Sequence, residues 1–204
     1  MQQAAPVEKD VVLIGGGHAH LAVIKAFAMR PEPGVRLTVI SEDMRTPYSG
    51  MLPGLIRGEY SADESYIDLN KLTRWGKIDF ICDKAINIDP ISQEVILKHR
   101  PPVAYNVLSV NIGSTPPITD IEGAYNYAFP VKPIQQFLKS LQKLDQKNVA
   151  HPEIVIAGAG AGGIETAISL HAYFEHKNNS ASITLISDTD DILPGHGASV
   201  LVGV

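Results

Sequence analysis

The stretch Val11-Val-Leu-Ile-Gly15-Gly-Gly17-His-Ala-His20 decides the fold. Four apolar residues in a row, ended by three glycines, read as a strand buried on both faces of a parallel sheet. From His18 to Met29 the period turns helical. Leu21, Ile24, Lys25 and Ala28 share one face, and Ala22, Ala26 and Ala28 keep the helix slim. Pro31-Glu-Pro-Gly34 stops it. Arg36-Leu-Thr-Val-Ile40 is the next buried strand. Strand, glycine turn, helix and strand make a βαβ unit with a right-handed crossover expected.

The pattern returns later in the chain. Glu153-Ile-Val-Ile-Ala157 reads as a strand, Gly158-Ala-Gly160-Ala-Gly-Gly163 as a glycine turn, Ile164 to Phe174 as a helix and Ser182 to Ile186 as a strand. Gly15 maps on Gly158, and Leu37-Thr-Val-Ile-Ser-Glu42 maps on Ile183-Thr-Leu-Ile-Ser-Asp188, so the repeat is internal.

Between the copies, residues 43–77 are turn-rich, and Thr46-Pro-Tyr-Ser-Gly-Met-Leu-Pro-Gly54 is too apolar for an ordinary solvent loop. A short helix is expected over Ile67 to Trp75, entered through Asp68, and a strand over Lys77 to Cys82. Lys84 to Asp89 and Glu94 to Leu97, joined by Pro90-Ile-Ser-Gln93, read as an antiparallel excursion. Asn106 to Val110 is another buried strand, ending at Gly113. Residues 115–130 are a Pro-rich connection. Pro133 to Leu144 is an amphipathic helix with Ile134, Phe137, Leu138 and Leu141 on one face. The expected class is α/β, a Rossmann-like fold with two βαβ dinucleotide-binding units, the second truncated. The expected division is a loose tail over 1–9, a first domain over 10–120 with its β excursion at about 83–105, a connection and helix over 121–150, and an incomplete second domain over 151–204.

Composition excludes several classes. The chain has 204 residues, 45% hydrophobic and 19% charged, so it can bury a core and is not disordered. Lys and Arg number 17 against 22 Asp and Glu, a net charge of −5, and no basic cluster offers itself to nucleic acid. The one cysteine, Cys82, makes no disulfide scaffold, CxxC pair or cysteine-built zinc site. No apolar run approaches the roughly 20 residues of a spanning helix. The start, Met1 to Asp10, lacks the basic and apolar parts of a secretory signal, so a cytoplasmic chain is expected, with peripheral membrane association open for a longer form.

A glycine turn between strand and helix lets backbone approach a pyrophosphate, and the helix N-terminus offers it N–H groups and a positive dipole end. The second copy satisfies G-x-G-x-x-G at Gly158, Gly160 and Gly163. The first satisfies Gly15 and Gly17, with His20 in the third place. That place serves close helix–strand packing, so His20 is a departure. One such motif is weak, but two with following acids are strong. The acids are Glu42 and Asp188, each one residue past a strand end, suited to ribose hydroxyls and hostile to a 2′-phosphate. Two different dinucleotides are economical, and a flavin paired with a nicotinamide passes hydride readily.

Gly15-Gly-Gly-His-Ala-His20, Thr46 to Gly54, Tyr105-Asn-Val-Leu-Ser-Val-Asn-Ile-Gly-Ser114 and Gly158-Ala-Gly-Ala-Gly-Gly-Ile-Glu165 carry a resemblance. Over residues 10–200 the chain resembles the pyridine nucleotide-disulfide oxidoreductase superfamily. The likeness is greatest to its cysteine-free type II NADH dehydrogenase-like branch, including the domain attached to selenide, water dikinase. The resemblance implies FAD at the first turn, with Gly15, Gly17, His18, Ala19, His20 and Glu42. It implies the loop with Tyr48 and Pro53 by the flavin ring, and Gly113 beside the phosphates. It implies NAD(P)H, with NADH favoured, at Gly158, Gly160, Gly163, Glu165 and Asp188. Relatives often carry Asp where this chain has Asn106. They also continue past the second strand and return a Gly-Asp element to the flavin. This chain ends at Val204, sixteen residues after Asp188, so a cut through a larger flavoprotein is expected.

The implied function is an FAD-dependent oxidoreductase. It passes hydride from NAD(P)H to FAD and on to a small-molecule, non-thiol acceptor such as a quinone. The alternative is a non-catalytic nucleotide-binding fragment. No side-chain acid or base stands out as catalytic. His18 and His20 lie two apart and point to different helix faces, so no metal is expected there. His171 and His176 read as solvated, and Asn178-Asn-Ser180 as a chance sequon. Cys82 reads as strand packing. Tyr48 reads equally as a flavin contact or a buried loop tyrosine, Lys132 as a phosphate contact or nothing, and Glu165 as a ligand or a turn support.

Overall fold

A computed structural model describes residues 6–61, 63–116, 118, 120–189 and 192–193. The first five residues of the expected tail and most of the segment after Asp188 lie outside the described residues. In chain order the first elements are β1 (Lys9–Ile14), α1 (His18–Met29), β2 (Val35–Ser41), β3 (Arg45–Pro47), α2 (Leu52–Arg57), β4 (Tyr66–Asp68), α3 (Leu69–Gly76) and β5 (Asp79–Cys82). There follow β6 (Ala85–Asp89), β7 (Glu94–Leu97), β8 (Val103–Ala104), β9 (Val107–Val110), α4 (Ala124–Tyr127), α5 (Ile134–Gln146), β10 (Glu153–Ala157), α6 (Ala161–His176) and β11 (Ser182–Ile186). The chain divides into two units, residues 1–48 with 66–133 and residues 49–65 with 134–204.

The first unit is built on a parallel sheet in the order β5-β2-β1-β9. β1 has neighbours on both edges and apolar residues on both faces, which is why its sequence is unbroken Val, Val, Leu, Ile. Successive side chains alternate between faces. Leu13 packs with Ile24, Leu37, Val39 and Ile78. Val12 and Ile14 pack with Ile40, Val95 and Leu97. Helix α1 thus covers one face, and the antiparallel excursion covers the other through β7. Each fully buried side chain of this kind is worth about 1.5–3 kcal/mol. The excursion has a third strand, β8, beside the two expected, because Glu94 and Val95 pair with Ala104 and Val103.

Two local readings differ in detail. The buried stripe of α1 is His20 and Ile24 with Phe27 and Ala28 partly covered, while Lys25 is exposed. The sheet below the helix selects the row one turn back from Ile24, which brings in His20. Residues 43–77 hold more structure than turns alone. Arg45–Pro47 pairs with Tyr66–Asp68, and Leu52–Arg57 is a helix ended by Gly58 at φ +79. The helix entered through Asp68 is present, its Oδ1 accepting from Lys71 N at 2.8 Å as an N-cap does.

In the second unit β10 and β11 pair in parallel, Glu153 with Ser182 through Ala157 with Ile186. Helix α6 buries Thr166, Ser169, Leu170 and Phe174. Helix α5 buries Ile134, Phe137 and Leu141, as its 3–4 spacing foretells. Its end is tied to α6 by Asp145, which accepts from the Tyr173 hydroxyl and, at 2.5 Å, from Lys177 Nζ. Among the described residues no helix is long and apolar enough to cross a membrane.

Candidate functional site

In the first unit the chain runs outward from β1 to β2 and β5, then returns to β9 on the other side of β1. The strand order therefore reverses between β1 and β9. In open α/β sheets the ligand crevice lies at the carboxyl ends of the strands flanking such a reversal. Those ends are Ile14 and Val110, followed by Gly15–Gly17 and Asn111–Gly113.

The turn at Gly15 is held from both sides. Gly15 N donates to Ile40 O at 2.8 Å, and Asn111 N donates to Ile14 O at 2.8 Å. Gly17 N donates to Asn111 O at 3.1 Å. Gly15 has φ +91, and a Cβ there would lie 2.3 Å from Asn111 O. At Gly17 a Cβ would lie 2.2 Å from Asn111 Oδ1. Helix α1 starts from Gly17 with no side-chain cap and no acid in its first turn. The leading N–H groups of such a helix have no intrahelical partner, and an anion satisfies them.

The second turn repeats this anatomy. Gly158 N donates to Ile186 O at 2.8 Å, as Gly15 N does to Ile40 O. Gly158 has φ +108. Helix α6 starts from Gly160, again without a side-chain cap or a first-turn acid. Around Gly158, Gly160 and Gly162 an added Cβ would meet nothing within 4 Å. At Gly163 it would lie 1.9 Å from Gly158 O, so only glycine fits where helix meets turn.

Glu42 and Asp188 each stand two residues past the carbonyl that anchors their turn, Ile40 O and Ile186 O, and both are exposed. Glu42 also meets Lys84 Nζ at 3.2 Å, an exposed pair worth little. His18 and Ala19 open α1 and are exposed. The His18 ring stacks on Tyr48, centroids 5.3 Å apart. His20 turns inward instead and is 2% exposed. Gly113 has φ +78 and open space around it. Pro53 lies in α2, which belongs to the second unit, so the stretch Thr46–Gly54 is divided between units. Glu165 is exposed on α6, its carbonyl accepting from Ser169 Oγ at 2.6 Å.

Sequence reading passed over Asn111 and Ser109, although both lie in a quoted stretch. Asn111 clamps the first turn, and Ser109 Oγ reaches His20 Nε2 at 2.9 Å. Alternating polar residues just before a glycine at a strand end were the available signal. Asn106 supplies an acceptor without a carboxylate, its Oδ1 taking a bond from Asp10 N at 2.7 Å.

Comparison with known proteins gives a family and a shared fold. The family model described as pyridine nucleotide-disulphide oxidoreductase matches residues 9–201. The chain is similar to the NADH dehydrogenase-like protein YutJ of Bacillus subtilis, 26% identical over 168 residues, 79% of this chain and 45% of that protein. It is similar to a sulfide-quinone reductase of Aquifex aeolicus, 26% identical over 195 residues, 92% of this chain and 44% of the relative. Among solved structures, NDH2 from Plasmodium falciparum in complex with NADH aligns with a TM-score of 0.78 at 17% identity, covering 95% of this chain and 44% of that one. The chain spans about half the length of the curated relatives it matches.

Proposed function

The chain belongs to the pyridine nucleotide-disulphide oxidoreductase family, and from that premise we propose that it is an FAD-dependent oxidoreductase using NADH. FAD is assigned to the first turn and NADH to the second. The observation that carries this is the doubled anatomy. Twice, a parallel strand leads through glycine into a helix that lacks both a side-chain cap and a first-turn acid, with a carboxylate two residues past the anchoring carbonyl.

The N–H groups at the head of α1 and α6 donate to the two pyrophosphates, and the helix dipoles favour their charge. Glu42 and Asp188 accept from ribose hydroxyls and repel a 2′-phosphate, which favours NADH over NADPH. The exposed Lys84 leaves a Glu42 oxygen available for this. Tyr48, stacked on His18 at the head of α1, lends an aromatic face to the first site. When bound, NADH supplies hydride and FAD accepts it. Electrons leave to a non-thiol acceptor, of which a quinone is the favoured class. The chain has one cysteine, whose Sγ rests on Glu42 O at 3.5 Å, so it offers no dithiol pair of its own. That single thiol also suits the reducing cytoplasm.

The test is anaerobic titration of the FAD-loaded protein with NADH. Bleaching of the yellow colour is expected. A protein that takes up no FAD would sink the reading. FAD uptake without bleaching would leave a nucleotide-binding module without turnover.

A further inference from the structure

The two turns meet their helices by two different means. In the second, Gly158 O points at Gly163 and leaves no room for a Cβ. In the first, the matching residue is His20, and its imidazole fills the junction. Nδ1 lies 2.7 Å from Gly15 O and Nε2 lies 2.9 Å from Ser109 Oγ. A carbonyl oxygen only accepts, so the proton sits on Nδ1. In the neutral ring Nε2 then accepts from the Ser109 hydroxyl. The imidazole joins the turn to β9 and is almost wholly buried.

The peptide bond transmits this orientation. In a trans peptide the C=O and the following N–H point opposite ways. A Gly15 carbonyl held toward His20 therefore aims the Gly16 N–H away from it. Gly16 N makes no hydrogen bond among the described residues. We propose that His20 is a positioning residue of the dinucleotide site. As the Nδ1–H tautomer it holds the Gly15 carbonyl inward and thereby presents the Gly16 N–H to a phosphate of the bound nucleotide. This deepens the assignment of FAD to the first turn and rests on it. His20 itself touches no ligand.

Three variants of the full chain test this by FAD titration, with NADH binding at the second turn as an internal check on folding. His20→Asn keeps a donor at the Nδ1 place and loses the reach to Ser109, so FAD affinity within about threefold of the parent is expected. His20→Leu keeps much of the volume and loses the donor. One bond to a charged group is then forfeited, and affinity falls about 10- to 100-fold while NADH binding holds. Ser109→Ala leaves the Gly15 bond intact and costs less than His20→Leu. Nitrogen-15 spectra of the parent report a protonated Nδ1 and a bare Nε2. An Nε2–H tautomer overturns the proposal, as does His20→Leu binding FAD like the parent. If His20→Leu does not fold, the tautomer and His20→Asn decide, and a loss of 10-fold or more in folded His20→Asn overturns it. A parent chain that binds no FAD refutes the proposed function first, and this role with it. FAD binding unchanged in His20→Leu refutes this role alone.

Discussion

Gly163→Ala separates the packing use of a glycine from its ligand use. The added Cβ would lie 1.9 Å from Gly158 O, whereas a carbon meets a carbonyl oxygen comfortably at about 3.3 Å. Helix α6 would have to retreat from the turn by more than an ångström. That retreat strains the bonds that Gly163 N and Ile164 N make to Gly160 O, at 3.0 and 3.1 Å, and lifts Thr166 and Leu170 from their packing. Overpacking of this kind costs about 1–3 kcal/mol. For a chain of this size that lowers Tm by about 2–12 °C. Gly160→Ala is the control. Gly160 has φ −75, and its Cβ would meet nothing within 4 Å, so only the poorer N-cap preference of alanine acts and stability falls by about 0.5–1 kcal/mol. The new methyl group instead stands where a phosphate approaches the helix head. NADH affinity is expected to fall about tenfold through loss of a backbone bond. Thermal unfolding and NADH fluorescence titration measure both variants. An unchanged midpoint for Gly163→Ala would refute the packing argument. Undiminished NADH affinity in Gly160→Ala would refute the placement of the phosphate.

Further outcomes follow from other positions. Ile24→Ala empties a site that is 0% exposed between α1 and the sheet, at a cost of about 2–5 kcal/mol in denaturant unfolding. Gly162→Ala adds a methyl in open space inside α6 and should raise stability by about 0.5–1 kcal/mol, while an unchanged or lower midpoint argues against the helical setting. Asp188→Ser removes the carboxylate that opposes a 2′-phosphate, so the NADPH-to-NADH affinity ratio should rise about tenfold, and an unchanged ratio places the ribose elsewhere. Burial pushes the Asp83 carboxyl up, but hydrogen bonds from the His99 ring and from the Lys84 and His99 N–H groups outweigh it and hold the group below the ordinary carboxylate range. Its contribution to stability is therefore full above that range and lost as pH falls through the lowered folded value. Asp83→Asn should lower the urea midpoint at neutral pH and flatten its decline in acid.

The fold was legible where burial forces a pattern. β1 is covered on both faces and reads as continuous apolar sequence. α5 shows its buried Ile134, Phe137 and Leu141 because one face alone is covered. Asp68 announced its helix because a capping side chain must accept from an N–H three residues on. Elements held by context were less legible. α2 is six residues long and contains Pro53 and Gly54, which argue against a helix locally. β3, β4 and β8 are two or three residues each, too short for any period to develop. His20 announced itself only as an anomaly. Its residue type could not tell an exposed phosphate contact from a buried support, since both uses suit an imidazole.

A glycine in a nucleotide-binding pattern is likewise two different statements. At Gly158 and Gly160 the space beside the backbone is open, so the missing side chain leaves room for something outside the turn. At Gly15 the missing side chain makes room for the backbone of Asn111, and at Gly163 for Gly158 O. Gly17 lies between these cases, because its neighbour is the end of the Asn111 side chain, which can rotate aside. The first turn therefore spends part of its glycine content on clamping to β9, and it retains an open approach chiefly at Gly113 and at the uncapped head of α1. The third place follows the same logic. The second turn meets it by omitting a side chain, and the first by adding one that bonds the carbonyl it would otherwise strike. Each copy thus packs the carbonyl of its first glycine against the third place of the motif, one by omitting a side chain and the other through a hydrogen bond from an imidazole.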